Sequence, residues 1–478
     1  MVFKIAQKEF KELARDGHFR WAVGIAFVLL GASLLTGWRN YAETRQQTEA
    51  AQHGERERWL NQGEKYEHSA AHYGIFVFNP PTSLAALDQG INPYAGTSVF
   101  LEAHKQNLFN YRPATDGLGL RRFGEITAAA TLQILIPLLI ILLTYSAFVG
   151  EREAGTLRQL LSLGVSRRNI AFGKALGLTG PLLLLLVPAA IIGALAIALN
   201  SGTLVIRDGW PRLLLMAVSY LLYFSIVIGI SLAVSAQSST SRQALAVLLA
   251  FWFVNALMAP QVVTDFARAV HPLPSGLEFD SLLREQKREL AATTKQRRTE
   301  LEQRLLQEYG VREVKDLPVN VNGLMMRNDE AAQDRLQDEI FDRLYNGYER
   351  QDRIYQAASA FVPALGLQAL SMGLAGTDFA HHRDFARAAE VYRQRMIRVL
   401  NESMASADPA KMREFAGTSI RVSQAGREVW ERVPMFAYTA PPLGLIVKNC
   451  GLSIAALLAW FVIVATITPV AVSRAKIL

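Results

Sequence analysis

Eight histidines and one cysteine are the residues with the widest chemical choice in this 478-residue chain. His68 and His72 stand four apart beside Glu67. On a helix that spacing puts two imidazoles on one face, which suits a metal ion. His381 and His382 sit beside Asp378 and Asp384, and only one of two adjacent residues can share a helix face with a given ligand. Surface or capping roles are the first reading for all four, with metal ligation as the alternative. Cys450 stands alone, which excludes an intramolecular disulfide and any thiolate cluster. No catalytic residue is assigned, because neither H-E-x-x-H nor G-x-S-x-G occurs. Gly173-Lys174 lacks the upstream glycine and the following Ser or Thr of a P-loop. The chain has no cradle of that kind for ATP, so no cofactor is expected on it directly.

Two other stretches have residues spaced for docking. In residues 2–15, Phe3, Ile5, Ala6, Phe10 and Leu13 alternate with Lys4, Lys8, Glu9, Lys11 and Glu12 at roughly helical spacing. A short basic amphipathic helix before an apolar run lies in a membrane interface. It reads either as a surface anchor or as a helix that also touches a partner. Residues 151–174 read EREAGTLRQLLSLGVSRRNIAFGK. Glu151 and Glu153 open a helix where negative charge is favoured. Leu157, Leu160, Leu161 and Leu163 give it an apolar face. Gly164 ends it, and Ser166 caps the next helix. This is a short amphipathic helix between two apolar runs, read either as a plain hairpin or as a coupling helix that docks on a soluble motor.

The elements that position these stretches follow from composition. Hydrophobic residues make up 51% and charged residues 19%, and the mean hydropathy is +0.16. Several windows exceed 18 residues without a charge, enough to cross about 30 Å of hydrocarbon. Disorder and a purely soluble fold are excluded. The expected fold is an all-α polytopic membrane protein with six transmembrane helices. After an interfacial helix at 1–20, the crossings are read at 21–38, 126–148, 175–199, 213–234, 244–263 and 449–473. Glu9, Glu12 and Asp16 argue against a cleaved signal peptide at the first run. Lys4, Lys8, Lys11, Arg15, Arg20, Arg152, Arg158, Arg167, Arg168, Lys174, Arg242, Arg474 and Lys476 then fall on one side. Only Arg207 and Arg212 lie in the one short loop opposite. The positive-inside rule puts both termini and the 149–174 loop in the cytoplasm. The net charge of +8 is read as topology-setting, with no nucleic-acid partner.

Two long segments then lie outside, 39–125 and 265–440. In the second, Leu277, Leu282, Leu283, Leu290, Leu301, Leu305 and Leu306 form one helical stripe. Leu336, Ile340, Leu344 and Tyr348 form another, and a third helix runs over 378–404. This predicts a largely helical extracytoplasmic domain, with the proline-broken first segment packed on it. The spans themselves offer few polar side chains: Thr131, Gln133, Thr144, Tyr145, Tyr220, Ser225, Ser231 and Asn255.

The pattern Glu151, Gly155-Thr156-Leu157, Leu160-Leu161, Val165-Ser166-Arg167 and Lys174 resembles the loop after the second span in type-2 ABC transporter permeases. The N-terminal helix and the six spans resemble that family over the whole chain. The large insertions, with Leu374 to Asp378, His382 and Phe385, are similar to permeases of gliding-motility and copper-enzyme-maturation systems. The resemblance implies a non-catalytic permease subunit in a bacterial inner membrane. It implies a second permease copy or paralogue, and an ABC ATPase subunit that holds ATP and Mg. Membrane lipid and a periplasmic protein are further expected partners. Glu151, Glu153, Gly155, Thr156, Leu157, Leu160, Leu161 and Arg167 would then couple the permease to the ATPase. Substrate would move across the membrane as the ATPase turns over. The alternative is a non-transporting module that transmits the stroke to an extracytoplasmic partner.

The topology is testable with an impermeant thiol reagent on intact cells, in a Cys450→Ala background. Cysteines at Ser166 and Ser239 are expected to stay unlabelled, and those at Ser69 and Ser275 to react. Labelling at Ser166 from outside would reverse the orientation.

Overall fold

In hydrocarbon only a helix or a closed barrel gives every backbone N–H and C=O a partner, and the apolar runs here are helical. A computed structural model describes residues 1–15, 17–112, 127–199, 208–314, 317, 321–406, 413–414 and 421–475. Asp16, Ile126, Arg207 and Lys476, used above, lie outside the described residues.

Helix α1 (Val2–Arg15) leads into α2 (Gly17–Leu60), a single 44-residue helix. At 1.5 Å per residue α2 rises about 66 Å, roughly twice the hydrocarbon thickness. The apolar run ends near Trp38, but no proline follows it, and Ala, Glu, Gln and Arg dominate residues 42–58. Such residues carry the helix onward into a polar environment. Beyond it come α3 (Glu67–Tyr73) and the antiparallel strands β1 (Ile75–Phe78) and β2 (Ser98–Leu101), with Ile75 opposite Leu101.

The second apolar stretch is helical from Ala128 to Glu153 and contains α4 (Ile136–Thr144) and α5 (Val149–Glu153). Then follow α6 (Thr156–Ser162), α7 (Arg167–Ala198), α8 (Gly209–Gln237), α9 (Ser241–Trp252) and α10 (Ala259–Val270). The second long segment holds α11 (Gly276–Ala292), α12 (Thr294–Tyr309), α13 (Val321–Ala358), α14 (Pro363–Ala375), α15 (Phe379–Ala405) and α16 (Arg427–Arg432). The described chain closes with α17 (Leu443–Asn449) and α18 (Gly451–Arg474). Five stretches are long and apolar enough to cross a membrane. Helix α7, 32 residues long, carries the remaining apolar run. The protein is an all-α polytopic membrane protein.

Two crossings contain a widened π-turn, Thr131–Leu135 and Phe253–Met258. Each ends two residues before a proline, Pro137 and Pro260. A proline ring crowds the carbonyl of the preceding turn and donates no hydrogen bond, so a wider turn there relieves it. Each π-turn aims a buried amide at α8. Gln133 Nε2 donates to the Tyr220 hydroxyl at 2.9 Å, and Asn255 Nδ2 to the Tyr223 hydroxyl at 2.8 Å.

The bundle core is dense around Ile136, Tyr223, Phe224, Ile226 and Leu232, all nearly or fully buried. Helix α14 belongs to that core. It has 13 residues, too few to span, yet Leu365, Leu367 and Leu374 are fully buried. It packs against α8 and α18. Its Ser371 hydroxyl donates to Asp88 Oδ2 at 2.5 Å and lies 3.0 Å from the Tyr220 hydroxyl.

The two long segments share a second core. Trp59, Val77 and Leu101 from the first meet Phe385, Met396 and Trp430 from the second. The Trp59 indole donates to the Trp430 carbonyl at 3.0 Å, and the Trp430 indole to the Gly63 carbonyl at 3.0 Å. The leucine stripes of α11 and α13 meet through aromatic residues. Phe279 and Phe341 stand edge to face at 5.2 Å beside Ile340, whereas Leu277 is exposed.

Candidate functional site

A polar joint gathers α1, the 151–174 loop and the start of α7 at one end of the bundle. At its centre is Lys174, whose side chain is only 2% exposed. Its Nζ lies 2.8 Å from Glu9 Oε1 and 2.9 Å from Glu151 Oε1, and 5.8 Å from the centre of the Phe148 ring. Lys8 reaches the same carboxylate, with Nζ 3.7 Å from Glu151 Oε1, and pairs with Glu12 at 3.4 Å. Partial burial opposes the Lys8 charge, but Glu151, Glu12 and Glu9 together hold its ammonium above the usual lysine value. Helix α1 can come this close because α7 presents glycines to it. A Cβ on Gly173 would lie 2.5 Å from Ile5 Cβ, and one on Gly177 would lie 2.8 Å from the Ala6 carbonyl oxygen.

The remaining loop residues are fixed by the bundle. Glu153 accepts from the Ser241 backbone N–H at 2.9 Å and from its hydroxyl at 2.6 Å, which ties the loop to the start of α9. The Ser235 hydroxyl accepts from the Phe148 and Val149 N–H groups. Arg152 donates to the Ala236 carbonyl at 3.3 Å and to the Ser238 carbonyl. Gly155 sits at φ +75°, a left-handed position that favours glycine. The Thr156 hydroxyl donates to the Glu151 carbonyl at 3.2 Å. Arg167 donates to the carbonyls of Ala475, at 3.0 Å, and Ser473, and so ties the end of α18 to this joint.

The four leucines do not form one outward face. Leu157 is buried in the bundle core, and Leu160 and Leu161 are half-buried against it. Leu163, past the end of α6, is 76% exposed. Arg158, Gln159 and Ser162 are exposed with it. The surface open to a partner is therefore a polar patch with one leucine at its edge.

The histidines separate into two settings. His381 belongs to a cap: Asp378 accepts from its backbone N–H at 3.0 Å, and its Nδ1 lies 2.5 Å from Asp378 Oδ1. Its Nε2 lies 3.3 Å from Arg212. His382 is buried, with its ring 4.5 Å from Phe109 and 6.4 Å from Phe379. Burial, with Arg112 nearby, lowers its imidazole to about 4. Among the described residues neither joins a cluster of metal-ligating side chains. His68 and His72 do, together with His104, which sequence spacing did not single out because it lies in a turn far along the chain.

The comparisons with known proteins bear on the bundle and the joint together. Residues 3–307 match the family model described as ABC-2 family transporter protein. Residues 280–439 match a domain of unknown function, DUF3526. Over 140 residues the chain is 33% identical to the probable ABC transporter permease protein NosY of Pseudomonas aeruginosa. That alignment covers 28% of this chain and 48% of the relative, so the chain spans about half the length of that curated protein.

Removing the central cation tests the joint. Lys174→Met would leave Glu9 and Glu151 with only the exposed Lys8 ammonium between them. Breaking a buried pair from one side costs about 3–5 kcal/mol. Helix α1 is expected to detach while the bundle stays inserted, making Arg15 markedly more accessible to trypsin. Unchanged proteolysis would show that apolar packing of α1 on α7 suffices.

Proposed function

We propose that this chain, which belongs to the ABC-2 transporter family, couples ATP hydrolysis on partner ATPases to movement of its membrane helices. The observation that carries the reading is the Glu9–Lys174–Glu151 joint. It links α1, the loop bearing α6 and the start of a membrane helix, so a push on the loop reaches α7 and α2 without slack. Residues 1–20 and 149–174 then face the cytoplasm in a bacterial inner membrane. Two long segments face the other side. A second permease copy or a paralogue completes the membrane part. ATP and Mg sit on the ATPase, and the permease itself performs no chemistry. Glu151, Glu153, Gly155, Thr156, Leu157 and Arg167 hold the docking element in shape, with Leu160 and Leu161 packing it to the bundle. Arg158, Gln159 and Leu163 present its free surface.

Leu163→Asp tests that assignment, because it changes the exposed edge and leaves the core alone. Co-purification of the ATPase in detergent is expected to fall by about tenfold or more, a loss of about 1.4 kcal/mol or more in binding. Membrane insertion should be unchanged. Full retention of the ATPase, with normal stimulation of ATP turnover, would remove this loop from the docking surface.

A second reading is favoured by one observation, the insertion of α14 into the bundle core. The buried polar groups there bond one another: Gln133 to Tyr220, Ser371 to Asp88 and Asn255 to Tyr223. A packed interior of this kind supports either a substrate route between two copies or a module that transmits the stroke to an extracytoplasmic partner through α14. The native Cys450 separates them. A Cβ on Gly373 would lie 2.8 Å from Cys450 Sγ, so a Gly373→Cys thiol would sit within cross-linking reach and, oxidised with a membrane-permeant catalyst, would pin α14 beside α18. If α14 transmits the stroke, oxidation uncouples ATP turnover from any change in the outer segments, read by cross-linking, and a reductant restores it. If substrate passes between copies, oxidised and reduced proteins behave alike.

A further inference from the structure

One imidazole cluster stands apart from the docking joint, and nothing described so far employs it. We propose that His68, His72 and His104 form a binding site for a zinc-like divalent transition-metal cation that ties α3 to the turn after β2, with Glu330 of the second long segment behind it.

The geometry suits such an ion. His68 and His72 face the same way from α3, with their Nε2 atoms 3.2 Å apart. Two imidazoles on one tetrahedral ion, each about 2.0–2.1 Å from the metal, hold their nitrogens roughly 3.3–3.4 Å apart. One ring nitrogen of each of the three residues lies within 4.8 Å of the other two. The ring centres form a near-equilateral triangle with sides of 4.7, 5.1 and 5.3 Å. Closing it on one ion moves His104 by roughly an ångström, within reach of a small side-chain rotation.

The supporting residues are also in place. His104 Nδ1 lies 2.5 Å from Glu330 Oε2, which leaves Nε2 to face a metal. Glu330 is held in turn by Arg393, at 3.0 Å. A carboxylate behind a ligating imidazole fixes its orientation and raises its basicity. The His104 backbone adopts φ +61°, unusual for a residue with a Cβ. Its N–H donates to Glu330, and its carbonyl accepts from Lys287 and Gln337. One residue earlier, the Ala103 N–H donates to the Ala71 carbonyl at 3.0 Å and sets the turn against α3. So restrained a backbone matches a side chain that must point in one direction.

The donor set selects the ion. Three imidazoles favour zinc, copper or nickel over magnesium or calcium, which seek oxygen. His72 is exposed, which gives the ion a way in. A hydrogen-bonded histidine pair without a metal is the competing reading of the same contacts.

The test uses the full chain in detergent on a histidine-free affinity tag, stripped with a chelator and titrated with Zn²⁺. One zinc per chain is expected by elemental mass spectrometry, and Co²⁺ should give the intense absorption of a tetrahedral site. His72→Ala, at an exposed position that keeps the fold, and His104→Ala should each weaken zinc binding by about 100-fold, and Glu330→Gln by about 10- to 100-fold. His53→Ala should change nothing. Negligible zinc on the stripped wild-type chain, or equal binding by wild type and His72→Ala, would overturn the proposal.

Discussion

Lys174 carries a charge that folding removes from water, and such a group persists only where opposite charges meet it at close range. Glu9 and Glu151 supply them from α1 and α5. The three positions are far apart in the chain, so the ion cluster exists only when α1, the loop and α7 are assembled. If α1 leaves, the Lys174 ammonium loses one of its two carboxylates and keeps only Glu151. The same electrostatics make the joint stiff, because any separation of the partners exposes a large desolvation cost. The loop's other ties, Glu153 to Ser241 and Arg167 to Ala475, extend that stiffness to α9 and α18.

The opposite end of the molecule solves a different problem. The two long segments share one apolar core, in which Trp59 and Trp430 are completely buried. Beside that core lies an ionic layer centred on Arg393, which pairs with Glu330, Asp334 and Glu390 and has no exposed side-chain surface. Glu330 belongs both to this layer and to the imidazole cluster. The segment bearing α3 and the segment bearing α13 are thus joined by apolar burial and by charge at once.

Long elements were legible in the sequence because a run of about 20 apolar residues admits one reading in a membrane. The amphipathic period of residues 2–15 was equally plain. Shorter elements were not. Helix α14 is apolar but has 13 residues, so a length criterion passes over it and leaves it inside a soluble-looking segment. Helix α6 has seven residues, fewer than two full turns, and its leucines at 157, 160, 161 and 163 could not be sorted into inward and outward sets. His68 and His72 declared themselves by spacing, whereas His104 is brought to them by the β1–β2 hairpin. Nothing local to residues 102–105 marks that. Glu9 and Lys174 are silent for the same reason, since a charge in a basic-rich region does not announce its distant partner.

The unbroken α2 has a mechanical consequence. Leu30 and Leu34 lie at the middle of the stretch, Ala22 to Tyr41, that packs against neighbouring elements, and a tilt of the whole helix is conveniently measured from Leu30. From Leu30 the helix extends about 20 Å toward Gly17 and about 44 Å toward Trp59 at 1.5 Å per residue. The arms differ roughly twofold in length, so a sideways shift of about 2 Å at Gly17 swings Trp59 through about 4 Å, with no hinge between them to absorb it. Because Trp59 is sealed inside the shared core, that swing cannot be taken up by the helix tip alone. A rotation of roughly 6° at one face of the membrane is thereby delivered as a displacement, amplified rather than damped, to everything built on Trp59 and Trp430.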